Sequence, residues 1–171
     1  MSMERLLSLI VGSALLFAAA AASAQTPVAP APPQTPYGSP ITLEQAKKVM
    51  AGAEAEARKN NWNMAIAILD SGGNLVMLHR LDGTQFGSIE VAREKAHSAV
   101  AFRRPTKVFQ DLVAQGGANL RLLRLTGASP LEGGLPIVVD GKIIGGVGAS
   151  GGSSEQDAQV ARGGLEALQK Q

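Results

Sequence analysis

Two apolar segments that each turn back on themselves constrain the fold of this chain most. The first runs from Met64 to Arg80 around the turn sequence Ser71-Gly72-Gly73-Asn74. The second runs from Pro136 to Ala149 around Asp140-Gly141, a pair that favours the positive φ angles of a tight hairpin. Strands joined by such short turns pair antiparallel. The patterns predict an antiparallel sheet from four strands: Met64–Asp70, Leu75–Arg80, Pro136–Val139 and Lys142–Ala149.

Helical patterns precede, separate and follow these hairpins. Thr42 with Gln45, and Ser153 with Gln156, have capping-box spacing, in which two side chains satisfy the first backbone N–H groups of a helix. The spacing of apolar residues predicts four helices: Thr42–Asn60, Ser88–Arg103, a short one capped by Thr106 and ending near Gln115, and Ser154–Gln169. We also expect a short strand over residues 120–126. The predicted fold class is α+β, a single domain whose antiparallel sheet is flanked by helices.

The first 40 residues differ in composition from the rest of the chain. Arg5 precedes the apolar stretch Leu6–Ala22, and Ala22-Ser23-Ala24 has the small-x-small pattern of a cleavage site. We predict a signal peptide over residues 1–24, and a periplasmic or secreted mature protein without stable membrane insertion. Residues 25–40 hold six of the nine prolines, which predicts a disordered linker before a domain over residues 41–171.

Charge and cysteine content exclude several kinds of site. The chain has no cysteine, so it forms neither disulfides nor thiolate metal sites. Its formal net charge of +2 comes from scattered lysines and arginines, and without basic runs interleaved with aromatics we expect no nucleic-acid partner. With two histidines and no Gly-x-Ser-x-Gly elbow, no hydrolase triad can be assembled. The sequence therefore favours a binding role over catalysis.

Several short segments together carry a family resemblance. They are Leu69-Asp70-Ser71-Gly72-Gly73, Arg80-Leu81-Asp82-Gly83, Glu94-Lys95-Ala96-His97-Ser98-Ala99, Gly133-Gly134-Leu135-Pro136-Ile137 and Gly145-Gly146-Val147-Gly148-Ala149-Ser150-Gly151, followed by Asp157 and Ala161. These segments occur in the same order as in the GlcG/HbpS family, which has a DUF336-type domain, and the chain resembles that family. The resemblance implies a profilin-like α+β fold and assembly into homo-oligomers. It also implies a link to haem, while other members sit beside pathways for small hydroxy acids or corrinoids.

One face of the second predicted helix holds a candidate ligand-binding lysine. Val91, Lys95, Ser98 and Phe102 share this face by helical spacing, and the apolar members indicate that it points inward. A buried lysine needs a partner, which either Asp70 or Asp157 can supply. Lys95 then either binds a carboxylate ligand, such as a haem propionate, or forms a structural salt bridge.

Two further groups are candidates for binding an anion. Ser150, Gly151 and Gly152 precede the last predicted helix, where backbone N–H groups and the helix dipole favour a carboxylate or phosphate. The alternative is that these glycines serve only a sharp turn. Arg80, at the end of the first hairpin, can pair with a propionate or form a salt bridge at the rim of a site.

His79 and His97 are the candidate ligands for a haem iron, and an exposed or interfacial position without a ligand is the alternative for each. Alternation along the strand places His79 on the face opposite Leu78 and Arg80. Met77 and Tyr37 are lesser candidates for an axial ligand.

The leading functional hypothesis is an exported, oligomeric haem-binding module. It depends on the family resemblance and on the predicted export. The alternative is a binding protein or enzyme for a small carboxylated metabolite of the hydroxy-acid type, held by Lys95, Arg80 and the residues around Ser150. A third hypothesis is a structural or sensory partner protein.

Overall fold

Four strands form one antiparallel sheet in the computed structural model, which describes residues 34–170. The strands are β1 (Ala65–Asp70), β2 (Leu75–Arg80), β3 (Gly134–Val139) and β4 (Lys142–Ser150). Their order in the sheet is β2-β1-β4-β3, with antiparallel neighbours. Both predicted hairpins are confirmed, with strand ends shifted by at most two residues. The predicted signal peptide, residues 1–24, lies outside the described residues.

Four α-helices surround the sheet, which confirms the α+β prediction: α1 (Leu43–Lys59), α2 (Gly87–Ala101), α3 (Lys107–Ala114) and α4 (Ser154–Gln169). Both capping boxes are present, at Thr42 before α1 and at Ser153 before α4. Thr106 precedes α3 without a side-chain capping bond. Its Oγ1 instead accepts a hydrogen bond from the Gly134 N–H at 2.9 Å, so it joins α3 to β3.

The segment after α3 differs from its prediction. Residues expected as a strand over 120–126 lie largely in a 3₁₀ helix, Gly117–Arg124, so that prediction is wrong. Gly116 and Gly117 enter the segment with φ angles of 69° and 59°, a region that glycine adopts readily. None of the residues of the 3₁₀ helix is buried. A strand would need a neighbouring strand edge, whereas this segment packs against α3.

The two faces of the sheet carry different helices. α1 and α4 pack together over one face and enclose the larger core, which includes Val49, Met50, Met64, Ile66, Ile68, Val147 and Val160. α2 covers the other face through a smaller cluster: Ala65, Ala67, Leu69, Ala92 and Ala96. Glycine makes this second contact close, because a Cβ at Gly148 would meet the carbonyl oxygen of Ala92. The backbone of α2 therefore lies almost directly on β4.

The residues before α1 are attached to the sheet. The Ile143 N–H donates to the Pro36 carbonyl at 2.9 Å, and the Gly38 N–H donates to the Ile143 carbonyl at 2.8 Å. The Ile41 N–H donates to the Ile144 carbonyl at 2.8 Å. Residues 36–40, the last part of the predicted linker, therefore lie along β4. Within residues 34–170, no helix has both the length and the apolarity that crossing a membrane requires.

Candidate functional site

Lys95 and Asp157 form a buried ion pair between α2 and α4. Lys95 Nζ lies 2.6 Å from Asp157 Oδ2 and donates to the Ala149 carbonyl at 3.1 Å. The two side chains are only 2% and 4% exposed. Burial raises the pKa of Asp157, while hydrogen bonds from Lys95 and from backbone N–H groups act in the opposite direction. The inward position of Lys95 is confirmed, and its partner is Asp157.

This pair connects α2, α4 and β4 and offers almost no surface to solvent. A Cβ at Gly133 would lie 2.9 Å from Lys95 Nζ and 2.7 Å from the Asp157 Cβ, so the chain before β3 closes over both side chains. Buried ion pairs of this kind depend strongly on both partners being present. A ligand-binding role for Lys95 and Asp157 stays a prediction, and the geometry gives both residues a structural task.

The serine hydroxyls of the predicted site are also engaged inside the domain. Ser98 Oγ accepts a hydrogen bond from the Ser129 N–H at 3.0 Å and fixes the loop before β3 against α2. Ser150 Oγ donates to Ser88 Oγ at 3.3 Å, next to the start of α2. Both serines are buried. They therefore position backbone, and a ligand role for either stays a prediction.

The glycine-rich junction before α4 satisfies its own donors. The Gly152 N–H donates to Asp157 Oδ1 at 3.0 Å, and the Ser153 N–H donates to Gln156 Oε1 at 2.9 Å. Gly151 has a φ of 155°, and a Cβ there would meet the Asn63 carbonyl oxygen. The glycines therefore serve a close backbone approach. Asp157 and Gln156 of α4 already accept the hydrogen bonds that an anion would need from this junction. Anion binding here stays a prediction.

Asp70 stabilises the first hairpin turn, away from Lys95. Its Oδ1 accepts hydrogen bonds from the Gly72 N–H at 2.8 Å and from the Asn74 N–H at 2.9 Å. Burial alone would raise the pKa of Asp70, but these bonds and one from the Asn74 side chain hold it below its ordinary value of 3.8. Asp70 pairs with Gly145, whereas Asp157 approaches the opposite end of β4. The structure does not bring the two carboxylates together.

Arg80 lies at the end of β2 on an outer strand of the sheet. Its guanidinium stacks over the Phe86 ring, 4.9 Å from the centroid, and donates weakly to the Thr84 carbonyl at 3.4 Å. Phe86 is 78% exposed. Arg80, Lys95 and the junction before α4 therefore do not converge on one cavity, and the grouping needed for the small-carboxylate hypothesis is not formed.

His79 contacts α1 and lies away from the other histidine. Its Nδ1 is 2.6 Å from Glu54 Oε1, on the sheet face opposite Leu78, as alternation predicts. Met77 packs against the larger core, and the Tyr37 hydroxyl donates to the Val100 carbonyl at 2.8 Å. In the part of the chain that the structure describes, no three His, Asp or Glu side chains are grouped to hold a metal ion.

His97 lines an open cleft between α2 and β2. The cleft has a volume of about 470 Å³, and its walls are Leu69, Gly73, Leu75, Arg93, Glu94, His97, Gly127 and Ala128. α2 packs mainly on the other three strands, so the α2-facing side of β2 is left open at this point. Leu75 is consequently 51% exposed. The cleft combines an imidazole, a guanidinium and an apolar floor.

Two glycines leave room on either side of the His97 ring. A Cβ at Gly73 would lie 3.2 Å from His97 Cδ2, and a Cβ at Gly127 would lie 3.3 Å from His97 Cε1. Both glycines have a positive φ, 82° and 81°. Any larger residue at these positions would crowd the imidazole. The absence of side chains here keeps the ring exposed at the cleft.

Sequence reasoning identified His97 but missed most of this cleft. Gly73 belongs to one of the family motifs, yet its role beside the ring depends on the contact between the first hairpin turn and α2. Gly127 and Arg93 carry no recognisable spacing signal. The polar face formed by Glu90, Arg93, Glu94 and His97 was the available clue, and it indicates exposure without showing what lies opposite.

The chain is similar to proteins of known family. The family described as haem degrading protein HbpS-like matches residues 41–166. Protein GlcG of Escherichia coli K12 is 40% identical over 110 residues, which cover 64% of this chain and 81% of GlcG.

Two solved structures share the fold. A Streptomyces reticuli HbpS double mutant aligns with a TM-score of 0.69 and 31% identity, covering 84% of this chain and 97% of the other. A PduOC complex with haem aligns with a TM-score of 0.68 and 28% identity, covering 75% and 94%. Since the family match spans most of the folded domain, and the predicted motifs lie within it, the chain belongs to the HbpS-like family.

Proposed function

We propose that this protein is an exported haem-binding module that assembles into homo-oligomers and holds haem in the cleft at His97. The observation that carries the proposal is the imidazole of His97, which lines a cleft of about 470 Å³ and has no side chain beside its ring at Gly73 or Gly127. An accessible imidazole is a common ligand of haem iron. The haem complex of PduOC supports the same ligand class for the fold.

The other walls of the cleft fit the remaining parts of haem. Leu69 and Leu75 provide apolar surface for the porphyrin, and Arg93 provides a guanidinium that can pair with a propionate. Bound haem would supply an iron centre, and the task of these residues is to hold and orient it. By contrast, the second cleft, of about 440 Å³ between β3 and α4, is lined without histidine or arginine.

Export determines where the ligand would be acquired. The leader predicted over residues 1–24 would direct an unfolded chain across the membrane, so haem would bind in the periplasm or outside the cell. The absence of cysteine means that no disulfide stabilises the exported domain. The buried Lys95–Asp157 pair and the alanine-rich packing of α2 would maintain the cleft instead.

A small carboxylated ligand is the second candidate. It is favoured by one observation, the presence of Arg93 and His97 in the same cleft, where both can donate hydrogen bonds to a carboxylate. This version of the hypothesis moves the binding group from Lys95 and Arg80 to Arg93. A small carboxylate would not need the apolar surface of Leu69 and Leu75.

A haemin titration of the purified exported chain, followed by absorbance, tests the proposal. We expect a saturable Soret shift for the wild type. His97→Ala should lower the haemin affinity at least about tenfold, equivalent to about 1.4 kcal/mol of binding free energy. His79→Ala is the matched control, because His79 is also exposed but pairs with Glu54 outside the cleft. Equal affinity of the His97→Ala variant and the wild type would rule out His97 as the ligand. No saturable shift would favour the small carboxylate.

A further inference from the structure

The two outer strands of the sheet expose very different edges. On β3, the Gly134 N–H donates to Thr106 Oγ1 at 2.9 Å, and the Gly134 carbonyl accepts from the Thr106 N–H at 3.0 Å. Two residues further along the same edge, Pro136 has no N–H to offer. Proline and covering contacts are the usual protection of a strand edge against pairing with another chain.

Among residues 34–170, nothing covers the outer edge of β2 in this way. The Leu81 N–H donates to the Met64 carbonyl at 2.9 Å, and His79 pairs with Ile66, so these residues direct their backbone groups toward β1. Alternation then directs the N–H and C=O groups of Leu78 and Arg80 away from the sheet. Within residues 34–170, no hydrogen bond reaches these outward backbone groups.

The surroundings of this edge suit another protein surface. Leu75 and Phe86 are 51% and 78% exposed, and Leu78 is only partly buried. Exposed apolar side chains next to an open strand edge are typical of a pairing site. A bulge between Ile68 and Leu69 limits the regular edge to the end of β2 that contains Leu78 and Arg80.

We propose that the outer edge of β2 pairs antiparallel with β2 of a second copy of this chain. One register lets every outward N–H and C=O group of Leu78 and Arg80 form a hydrogen bond to the other copy. It places Leu78 of one copy opposite Arg80 of the other, so that a twofold axis passes beside His79. Two donors and two acceptors from each strand are then satisfied. The result is one continuous eight-stranded sheet, with the same patch on both copies as a twofold interface requires.

Charge complementarity supports a second copy as the occupant. Each Glu54 carboxylate has the Arg58 guanidinium of its own chain at 3.9 Å and the His79 imidazole at 2.6 Å, so each copy brings its own counter-charge to the axis. Each Arg80 is turned toward Phe86 of its own chain. Pairing therefore brings no unbalanced charge to the axis. This inference deepens the assembly part of the proposed function and is independent of haem.

Cross-linking tests the register without background, because the chain has no cysteine. Residues opposite each other in a non-hydrogen-bonded antiparallel pair have Cβ atoms about 4.5–5.5 Å apart, close to disulfide geometry. We expect oxidation of the His79→Cys variant to give a covalent dimer on a non-reducing gel. The matched control is Val138→Cys, an exposed residue on β3, which should remain uncross-linked. The reverse result would overturn the proposal.

A second pair of variants tests the edge itself. Arg80→Pro removes an outward N–H without breaking a bond to β1, while Arg80→Ala removes the same side chain and keeps the N–H. Light scattering on the haem-free exported chain should give a multimer for the wild type and Arg80→Ala, and half that mass or less for Arg80→Pro. A wild type that is monomeric at all concentrations, or a folded Arg80→Pro variant of unchanged mass, would sink the proposal. If Arg80→Pro does not fold, cross-linking at position 79 decides.

Discussion

Lys95 and His97 are two residues apart on α2, yet they lie in opposite environments. Lys95 is 2% exposed and its ammonium is bonded to Asp157 and Ala149, whereas His97 faces an open cleft. A helix rotates about 200° over two residues, so one residue faces the sheet and the other faces outward. The comparison teaches that a buried charge with all its partners supports architecture, and that a side chain with open space in front of it is the better candidate for binding.

The most severe way to break this comparison is to remove the buried cation. Lys95→Ala leaves Asp157 as an uncompensated buried carboxylate, and we expect a loss of about 3–5 kcal/mol in the free energy of unfolding. Urea denaturation followed by circular dichroism measures it. The control is His97→Ala, which we expect to stay within about 0.5 kcal/mol of the wild type. Equal losses for the two variants would show that the environments do not differ as described.

A gentler change sharpens the binding side of the comparison. Gly127→Ala places a Cβ 3.3 Å from His97 Cε1 in a backbone with a φ of 81°. Gly141→Ala introduces similar backbone strain at a φ of 71°, with no atom within 4 Å of the new Cβ. We expect both variants to lose about 1 kcal/mol of stability. Only Gly127→Ala should also weaken haemin binding, by several-fold in the same titration.

Identical haemin affinities for the two glycine variants would show that space beside the ring does not matter. Such a result would not change the conclusion that the buried Lys95–Asp157 pair supports the architecture. The two sides of the comparison can therefore fail separately.

The smallest expected effect concerns a carboxylate held by N–H groups in place of a cation. The pKa of Asp70 is lowered in the folded state, so its stabilising contribution is present above its ordinary value of 3.8 and is lost as the pH falls through the folded pKa. Asp70→Asn should remove this loss. Urea midpoints at pH 7 and pH 3 measure it, with the exposed Asp82→Asn as control. An equal fall in midpoint for Asp70→Asn and the wild type would contradict the assignment.

Local patterns made much of the fold predictable. The capping boxes at Thr42 and Ser153 and the turn at Asp140-Gly141 depend on neighbours within a few residues, and all three are confirmed. The helical spacing of Val91, Lys95, Ser98 and Phe102 correctly predicted that Lys95 and Ser98 are buried, whereas Val91 is only partly buried and Phe102 follows the end of α2. The choice of Asp157 over Asp70 was not predictable, since both carboxylates are distant in sequence and only the strand register separates them.

The cleft and the region after α3 show the limits of such patterns. The 3₁₀ helix Gly117–Arg124 was expected partly as a strand, but none of its residues is buried and it packs against α3. Thr106 has the residue type of a helix cap, but its hydroxyl accepts a hydrogen bond from the Gly134 N–H, which is distant in sequence. Gly127 acts on His97 through a contact that no sequence spacing encodes. These features follow from tertiary packing.

The attachment of residues 36–41 to β4 has a mechanical consequence. The hydrogen bonds at Ile143 and Ile144, the Tyr37 hydroxyl bond to Val100 and the Arg103 guanidinium 4.6 Å above the Tyr37 ring all resist displacement of this segment. A pull on the chain upstream of Gln34 therefore loads an interior strand through several bonds in parallel, as shear, before it reaches α1. Tension on the N-terminal end is therefore borne by the middle of the sheet and, through the Tyr37 hydroxyl bond to Val100, by the last turn of α2.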